Sequence, residues 1–232
     1  MPPLARSMLN AFSIDVEDYF HVEAFAEQVS PDDWCNFPSR VEKNVNIILE
    51  MLARHEVRAT FFILGWVAES IPRLTRQIGE AGHEIGCHGY AHRFIQRQTP
   101  KQFREDVRRS RSCLMDQAQQ LVACFRAPSF SIVKETLWAL DILAEEGFTI
   151  DSSIFPVRHD LYGIPEADRF PHWRGNIFEF PPSTVRRAGN NFGVAGGGYL
   201  RLPPYRLTHW AIRQINEVER QPAMVYFHPW EL

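Results

Sequence analysis

Short apolar runs alternate with amphipathic segments along most of this chain, and no other feature limits the fold as strongly. Residues 59–64 (ATFFIL) are rich in β-branched and aromatic side chains and predict a buried strand, whereas residues 41–55 repeat apolar side chains at helical spacing. The predicted strands are residues 9–16, 59–64, 83–87, 123–126, 148–151, 177–180 and 224–228, and the predicted helices are residues 41–55, 71–80, 99–120, 135–146 and 206–220. This order predicts an α/β fold with about seven mainly parallel strands.

Polar residues gather where the predicted strands end. The acidic string from Asp15 to Asp18, His88, Arg126, Asp151 and His228 each follow an apolar run. The carboxyl ends of parallel strands meet at one edge of the sheet, so we expect the functional site there in either a barrel or an open sheet. The number of strands and the position of the loops favour a barrel, although periodicity does not distinguish the two.

The net charge, the cysteines and the lack of long apolar stretches limit which partners and which cellular location we expect. The 232 residues include 25 Lys and Arg against 28 Asp and Glu, a net charge of −3, which argues against a nucleic-acid partner. The four cysteines contain no Cys-x-x-Cys pair and are interpreted as free thiols. We see neither the apolar stretch of a signal peptide nor that of a membrane span, and we therefore expect a cytoplasmic protein.

Two histidines four residues apart, His88 and His92, can share one metal ion. Spacing alone would equally describe two surface or core histidines, but here the pair follows a predicted strand. The acidic string with Asp15, Glu17 and Asp18 ends another strand between apolar residues, where a solvated acidic turn is the alternative interpretation. Desolvated carboxylates in such a position need a cation or hydrogen-bond donors nearby. Together the two segments predict a catalytic metal site.

Three further residues each have a structural interpretation as well as a functional one. Arg126, next to the turn-stiffening Pro128, can clamp a carboxylate with two hydrogen bonds or lie on the surface. Asp151 most often caps a turn in such a setting, and a lone His228 between apolar residues is most often part of a core. The glycines at 196–198 lack a nucleotide-binding pattern and predict a flexible loop.

Taken in order, these segments resemble the polysaccharide deacetylases, the NodB-homology domain of carbohydrate esterase family four. An Asp-containing first motif, His-x-x-x-His, Arg-x-Pro, an Asp-Ser motif and a late His follow one another over about 215 residues. The strings SIDVEDYFHV, RAPSFSI, DSSIFP, GGGYLRLPP and YFHPWEL resemble the PEP-CTERM/exosortase-associated deacetylases of bacterial exopolysaccharide loci. The resemblance implies a distorted (β/α) barrel as a single domain over residues 1–232. Relatives usually continue beyond its last motif, so we expect a C-terminal truncation or a shortened form.

The resemblance also implies an activity and a role for each residue. The implied activity is hydrolytic removal of N-acetyl groups from N-acetylhexosamine units. The implied cofactor is a divalent metal ion, most readily Zn²⁺, and the implied partner is an N-acetylated oligo- or polysaccharide substrate. The implied roles are general base for Asp15, metal ligands for His88 and His92, orientation of the base for Arg126, general acid for His228 and tuning of that histidine for Asp151.

The third metal ligand stays open between two residues. The family pattern has two adjacent aspartates in its first motif, whereas this chain has Asp15-Val16-Glu17-Asp18. Strand alternation would place Glu17 on the face of Asp15, while a turn beginning at Glu17 would select Asp18. The same departure is similar to metal-independent allantoinases, so an amidohydrolase acting on a small cyclic ureide is one alternative function. A non-catalytic saccharide-binding domain is the other, and the oligomeric state is not predicted.

Overall fold

A computed structural model describes residues 8–194 and 196–232, which form one large sheet, a hairpin and several helices. The strands are β1 (Ala11–Val16), β2 (Thr60–Ile63), β3 (Glu84–Cys87), β4 (Cys124–Phe125), β5 (Ile150–Asp151), β6 (His172–Arg174), β7 (Ile177–Glu179), β8 (Thr184–Arg187), β9 (Asn190–Gly193) and β10 (Met224–Phe227). The large sheet has the order β10-β1-β2-β3-β4-β5-β7-β6, and β8 pairs with β9 separately. Seven of its eight strands run parallel, and only β6 is antiparallel to its neighbour.

Helices connect the parallel strands. They are α1 (Val41–Arg54), α2 (Gly65–Ser70), α3 (Pro72–Glu80), α4 (Pro100–Ala118), α5 (Trp138–Glu145), α6 (Gly198–Arg201) and α7 (Tyr205–Arg213). The start of α4 follows its sequence signal, because Thr99 Oγ1 accepts from the Gln102 N–H and Gln102 Oε1 accepts from the Thr99 N–H. None of the described helices combines the length and the apolar character that crossing a bilayer requires. The prediction about a signal peptide concerns the first residues, of which 1–7 lie outside the described part.

The core lies between the sheet and its helices. Ile14, Phe61, Ile63 and Ile85 on the central strands are fully buried, as expected for parallel strands covered on both faces. The pairing puts Asp15 beside Phe62 and Ile63 beside Cys87, so neighbouring strands end at nearly the same level. The prediction of an α/β fold built as a distorted barrel is confirmed as a curled sheet whose outermost strands are β10 and β6.

The sequence prediction is least accurate between residues 152 and 205. One strand is predicted there at residues 177–180, whereas the structure contains β6, β7, β8, β9 and the short helix α6. Each of these strands has only three or four residues, too few to show a period, and each hairpin turns at a glycine with positive φ, Gly175 or Gly189. Helix α2 is also missed because it follows β2 almost directly.

Candidate functional site

The carboxyl edge of the sheet brings the predicted polar residues together. Asp15 lies on β1 and Glu17 directly after it, His88 follows β3, Arg126 follows β4, and His228 follows β10. Asp15, Glu17, His88 and Arg126 are each no more than 2% exposed. Since burying this much charge is unfavourable without partners, the contacts among these side chains determine what the site can do.

Asp15 and Arg126 form a buried ion pair. Arg126 Nη1 donates to Asp15 Oδ1 at 2.6 Å and to Ser13 Oγ at 2.9 Å. Its Nη2 donates to Ser152 Oγ at 2.9 Å, so the guanidinium is fixed on two sides. A buried ion pair contributes little to stability compared with apolar side chains, but it holds the Asp15 carboxylate in one orientation.

Glu17, His88 and His92 form a cluster that can hold a metal ion, with one potential ligand atom from each residue within 4.8 Å of the others. Glu17 Oε2 lies 2.8 Å from His92 Nε2 and 4.0 Å from His88 Nε2. His88 Nδ1 lies 2.8 Å from the Arg126 carbonyl oxygen, which can only accept, so Nδ1 carries the proton of the neutral ring. The lone pair of His88 Nε2 therefore faces the cluster, as a metal ligand requires.

The electrostatics of the cluster also suit a cation. Burial alone would raise the pKa of Glu17, but His92, His228 and His88 around it hold that pKa well below its ordinary value. Burial lowers the pKa of His88 to about 4. The contact between Glu17 Oε2 and His92 lacks hydrogen-bond geometry, and Oε2 has no other partner among the described residues. A carboxylate oxygen without a hydrogen-bond partner beside two imidazoles fits a divalent metal.

His228 faces both carboxylates from β10. Its Nε2 lies 3.9 Å from Asp15 Oδ2 and 3.7 Å from Glu17 Oε1, and its ring stacks on Trp230 with centroids 4.9 Å apart. On its other side, Nδ1 lies 3.0 Å from Glu231 Oε1. Burial alone would lower the pKa of His228, but the hydrogen bond to Glu231 and the charges of Glu17 and Asp15 raise it above its ordinary value. The histidine is therefore stabilised in its protonated form.

The residue next to His228 corrects one expectation. The resemblance implies that Asp151 tunes His228, but Glu231 occupies that position. Asp151 instead accepts from Ser153 Oγ at 2.6 Å and from the Ser153 N–H at 3.2 Å, and it contacts Glu179. Asp151 cannot serve His228 from there, because its hydrogen bonds go to the segment after its own strand. Glu231 lies three residues after His228, and this spacing is a sequence signal that is compatible with the contact but does not establish it alone.

Asp18 lies apart from the histidines. Its carboxylate accepts from Ser39 Oγ at 2.6 Å and from the backbone N–H groups of Arg40 at 3.0 Å and Val41 at 3.3 Å. These are groups at the start of α1, where a carboxylate satisfies unpaired N–H groups. Of the two residues considered as third ligand, the structure brings Glu17 to His88 and leaves Asp18 at the helix.

A cavity of about 330 Å³ opens over these residues. Asp15, Glu17, His88, His92 and His228 line its floor, and aromatic side chains stand around it. Those aromatic residues are Phe130, Tyr162, Tyr226 and Trp230. Carboxylates, imidazoles and aromatic faces in one cavity can bind a polar ring and exchange protons with it.

Two family models match the chain. The polysaccharide deacetylase model matches residues 32–149, just over half of the chain, and a domain of unknown function (DUF3473) matches residues 152–232. His88, His92 and Arg126 fall in the first match, whereas His228 and Glu231 fall in the second. The cavity thus takes residues from both matched regions and also, through Asp15 and Glu17, from the segment that precedes them.

Several known proteins are similar over parts of their length. A peptidoglycan-N-acetylglucosamine deacetylase of Bacillus cereus is 33% identical over 40% of this chain and 34% of its own. A peptidoglycan deacetylase of Helicobacter pylori is 25% identical over 65% of this chain and 51% of its own. The chain spans about half or less of these two relatives. A solved Mycobacterium smegmatis structure assigned to the polysaccharide deacetylases shares the fold with a TM-score of 0.67 at 21% identity, over 95% of this chain and 76% of its own.

Proposed function

The chain belongs to the polysaccharide deacetylase family, and we propose that it is a hydrolase that uses a divalent metal to remove N-acetyl groups from N-acetylhexosamine units of a saccharide. One observation carries the proposal. The cluster of Glu17, His88 and His92 lies in the same buried cavity as the ion-paired Asp15 and the imidazole of His228. A metal site, a base and an acid around one space are the parts that amide hydrolysis needs.

We assign Glu17, His88 and His92 as the protein ligands and Zn²⁺ as the metal. Two imidazoles and one carboxylate are a ligand set that zinc takes in hydrolytic enzymes, where a further position stays open. When bound, a metal of this kind polarises a carbonyl group and lowers the pKa of water. His88 is pre-oriented for this task by its hydrogen bond to the Arg126 carbonyl.

Asp15 is the proposed general base. Arg126 engages its Oδ1, and no hydrogen bond to Oδ2 is found among the described residues, so Oδ2 is free to accept a proton from water. A positioned general base contributes about 10²–10⁴-fold in rate. Arg126 thus acts as a positioning residue for Asp15.

His228 is the proposed general acid. Glu231 accepts the Nδ1 proton of its imidazolium, which directs the second N–H at Nε2 toward Asp15 and Glu17. The raised pKa of His228 keeps that proton available near neutral pH. The Nε2 proton goes to the leaving amine as the C–N bond breaks, and the products are acetate and a free amino sugar.

The substrate class is proposed from the relatives and the motifs. The Bacillus cereus relative carries N-acetylglucosamine in its name, and the aromatic faces of Tyr226 and Trp230 in the cavity suit a sugar ring. The resemblance of several strings to exosortase-associated deacetylases is our reason for proposing a bacterial exopolysaccharide or its precursor as the substrate.

Acetate release from N-acetylglucosamine oligomers tests the proposal. We expect about one zinc per chain, with activity lost on chelation and restored by added Zn²⁺. His88→Ala should lose metal and activity, whereas the exposed His55→Ala serves as a control that retains both. A folded, zinc-supplemented protein that releases no acetate would refute the proposal. Ring opening of a cyclic ureide without metal would favour the allantoinase-like alternative, and oligomer binding without turnover would favour a saccharide-binding domain.

A further inference from the structure

Residues 181–216 carry a charge that differs from the rest of the chain. They contain five arginines and no aspartate, glutamate or lysine, although the whole chain has a net charge of −3. All five side chains are exposed. They are Arg186, Arg187, Arg201, Arg206 and Arg213. Clustered exposed arginines create a positive surface potential that attracts anionic partners.

Large apolar side chains are exposed in the same segment. Leu202 is 87% exposed and Tyr205 is 78% exposed, and Phe192, Leu207 and Trp210 are each more than two-fifths exposed. Single exposed apolar residues are ordinary, but five within one short segment form a patch. We call the five arginines and these five apolar residues the α6–α7 patch.

Two contacts place the β8–β9 hairpin next to helix α7. Val185 on β8 shares a buried cluster with Ala211 on α7, which seats the β8–β9 hairpin against that helix. The Arg187 guanidinium lies over the Trp210 ring at 5.7 Å. Arg206, Trp210 and Arg213 are at positions i, i+4 and i+7 of the helix, so they project from one face, opposite the buried Thr208 and Ala211. Arg187, Arg206 and Arg213 therefore surround Trp210 on one surface.

Little within the described part of the chain neutralises these charges. Arg213 pairs with Glu217, and Arg201 lies 3.8 Å from Glu231. Arg186 and Arg206 have no ion-pair partner among the described residues. The guanidinium groups of Arg186, Arg187 and Arg206 are therefore the ones that can meet anions from outside the chain.

We propose that the α6–α7 patch docks on an anionic lipid surface. An acidic polymer would be bound by the arginines alone and gains nothing from exposed leucines such as Leu202. A second copy of the chain would bring the same positive charges together, which is unfavourable. A bilayer with anionic headgroups satisfies both features, because arginines pair with phosphates while leucine, tyrosine and tryptophan side chains enter the interface.

The patch is continuous with the catalytic cavity. Gly197, Gly198 and Arg201 line that cavity, and Leu202 follows directly in the chain. Docking would bring the cavity next to the headgroups, where it would meet saccharides carried at the membrane. The docking test does not rest on the chemistry of the cavity, because the residues that it changes do not line the cavity. They are Arg187, Leu202, Arg206 and Trp210.

Vesicle co-sedimentation tests the docking. The protein should bind vesicles of phosphatidylglycerol and phosphatidylcholine at low salt, and binding should weaken as salt is raised. We expect about a fivefold loss in partitioning for each arginine removed, and therefore about a 25-fold loss for Arg187→Gln with Arg206→Gln. The exposed Arg76→Gln on α3 is the matched control and should bind as the unchanged protein does.

Variants of the exposed apolar residues distinguish docking on a bilayer from binding to a soluble anion. Leu202→Ser with Trp210→Ser should lose vesicle binding, whereas Met51→Ser on α1, also exposed, should not. Binding of soluble polyglutamate without vesicle binding would overturn the proposal in favour of an acidic polymer. Light scattering that shows a dimer broken by the Leu202 variant, with no vesicle binding, would overturn it in favour of self-association. Acetate release from soluble oligomers should be equal in all variants, so a failed docking test leaves the proposed activity separately measurable.

Discussion

Replacing Glu179 with Gln is expected to remove a pH dependence from the stability of the fold. The side chains of Glu179 and Asp151 are both fully buried on neighbouring strands, at the paired positions of β5 and β7. Burial raises the pKa of Glu179 well above its ordinary value of 4.5, and the charge of Asp151 raises it further. Two ionised carboxylates buried side by side would repel each other, so the folded pair holds one proton.

The sign of the effect follows from proton counting. Above about pH 4.5 the unfolded Glu179 is ionised, while the folded pair still holds its proton. A folded state with one extra proton loses about 1.4 kcal/mol of unfolding free energy per pH unit until its own pKa is reached. Glutamine has the shape of the protonated acid and does not titrate. Its amide oxygen can still accept from the Ile154 N–H, as Glu179 Oε1 does at 3.1 Å.

Urea unfolding between pH 5 and pH 8 measures this effect. The unfolding free energy of Glu179→Gln relative to the unchanged protein should rise with pH, with a slope of up to about 1.4 kcal/mol per unit. Glu135→Gln, at an exposed glutamate, controls for the loss of a surface charge. Parallel pH curves for Glu179→Gln and the unchanged protein would refute the shared proton and the assignment of Asp151 to this pair.

Three further predictions concern the site. Glu231→Gln should lower the pKa of His228 by removing its carboxylate partner, so the alkaline limb of the kcat/KM profile moves to lower pH, and NMR titration of the imidazole measures the same shift. Asp18→Ala should cost about 1–2 kcal/mol of stability and leave zinc affinity unchanged, whereas Glu17→Gln should weaken zinc binding at least tenfold by calorimetry. Arg126→Met should cost about 3–5 kcal/mol in unfolding free energy, because it leaves a buried carboxylate unpaired.

Each of these has an outcome that contradicts it. An unmoved His228 titration in Glu231→Gln would show that Glu17 and Asp15 alone set its pKa. Equal zinc affinities in Asp18→Ala and Glu17→Gln would remove the distinction between the two carboxylates. A stable Arg126→Met variant with normal activity would show that Asp15 needs no orientation.

The sequence predicts the parallel sheet well because its signals are local. Buried strands appear as continuous apolar runs, and the capping residues Thr99 and Gln102 mark the start of α4. The hairpin of β8 and β9 could not be predicted, since four-residue strands with mixed polarity become strands only by packing Val185 on α7. Local pattern is sufficient where burial is uniform and insufficient where tertiary contacts decide.

The same limit applies to the site. The strand ends identify Asp15, His88, Arg126 and His228 as neighbours, because parallel strands share one edge. Which carboxylate contacts His228 depends on how the last turn folds back, and that turn brings Glu231 to the ring. Which of the two carboxylates, Glu17 or Asp18, joins the histidines depends on where β1 stops being extended. Neither choice is written in residue type or spacing alone.

The pairing of β10 with β1 also has a consequence for the order in which the protein is made. Ala11 on β1 lies beside Met224 on β10, so β1 leaves the ribosome long before the strand that it pairs with has been synthesised. During that interval β1 presents an open edge to the crowded cell, and His228 has not yet joined Asp15. The proposed general acid is therefore in place only after Met224–Phe227 has emerged, and we expect slow translation of the second half to prolong exposure to aggregation.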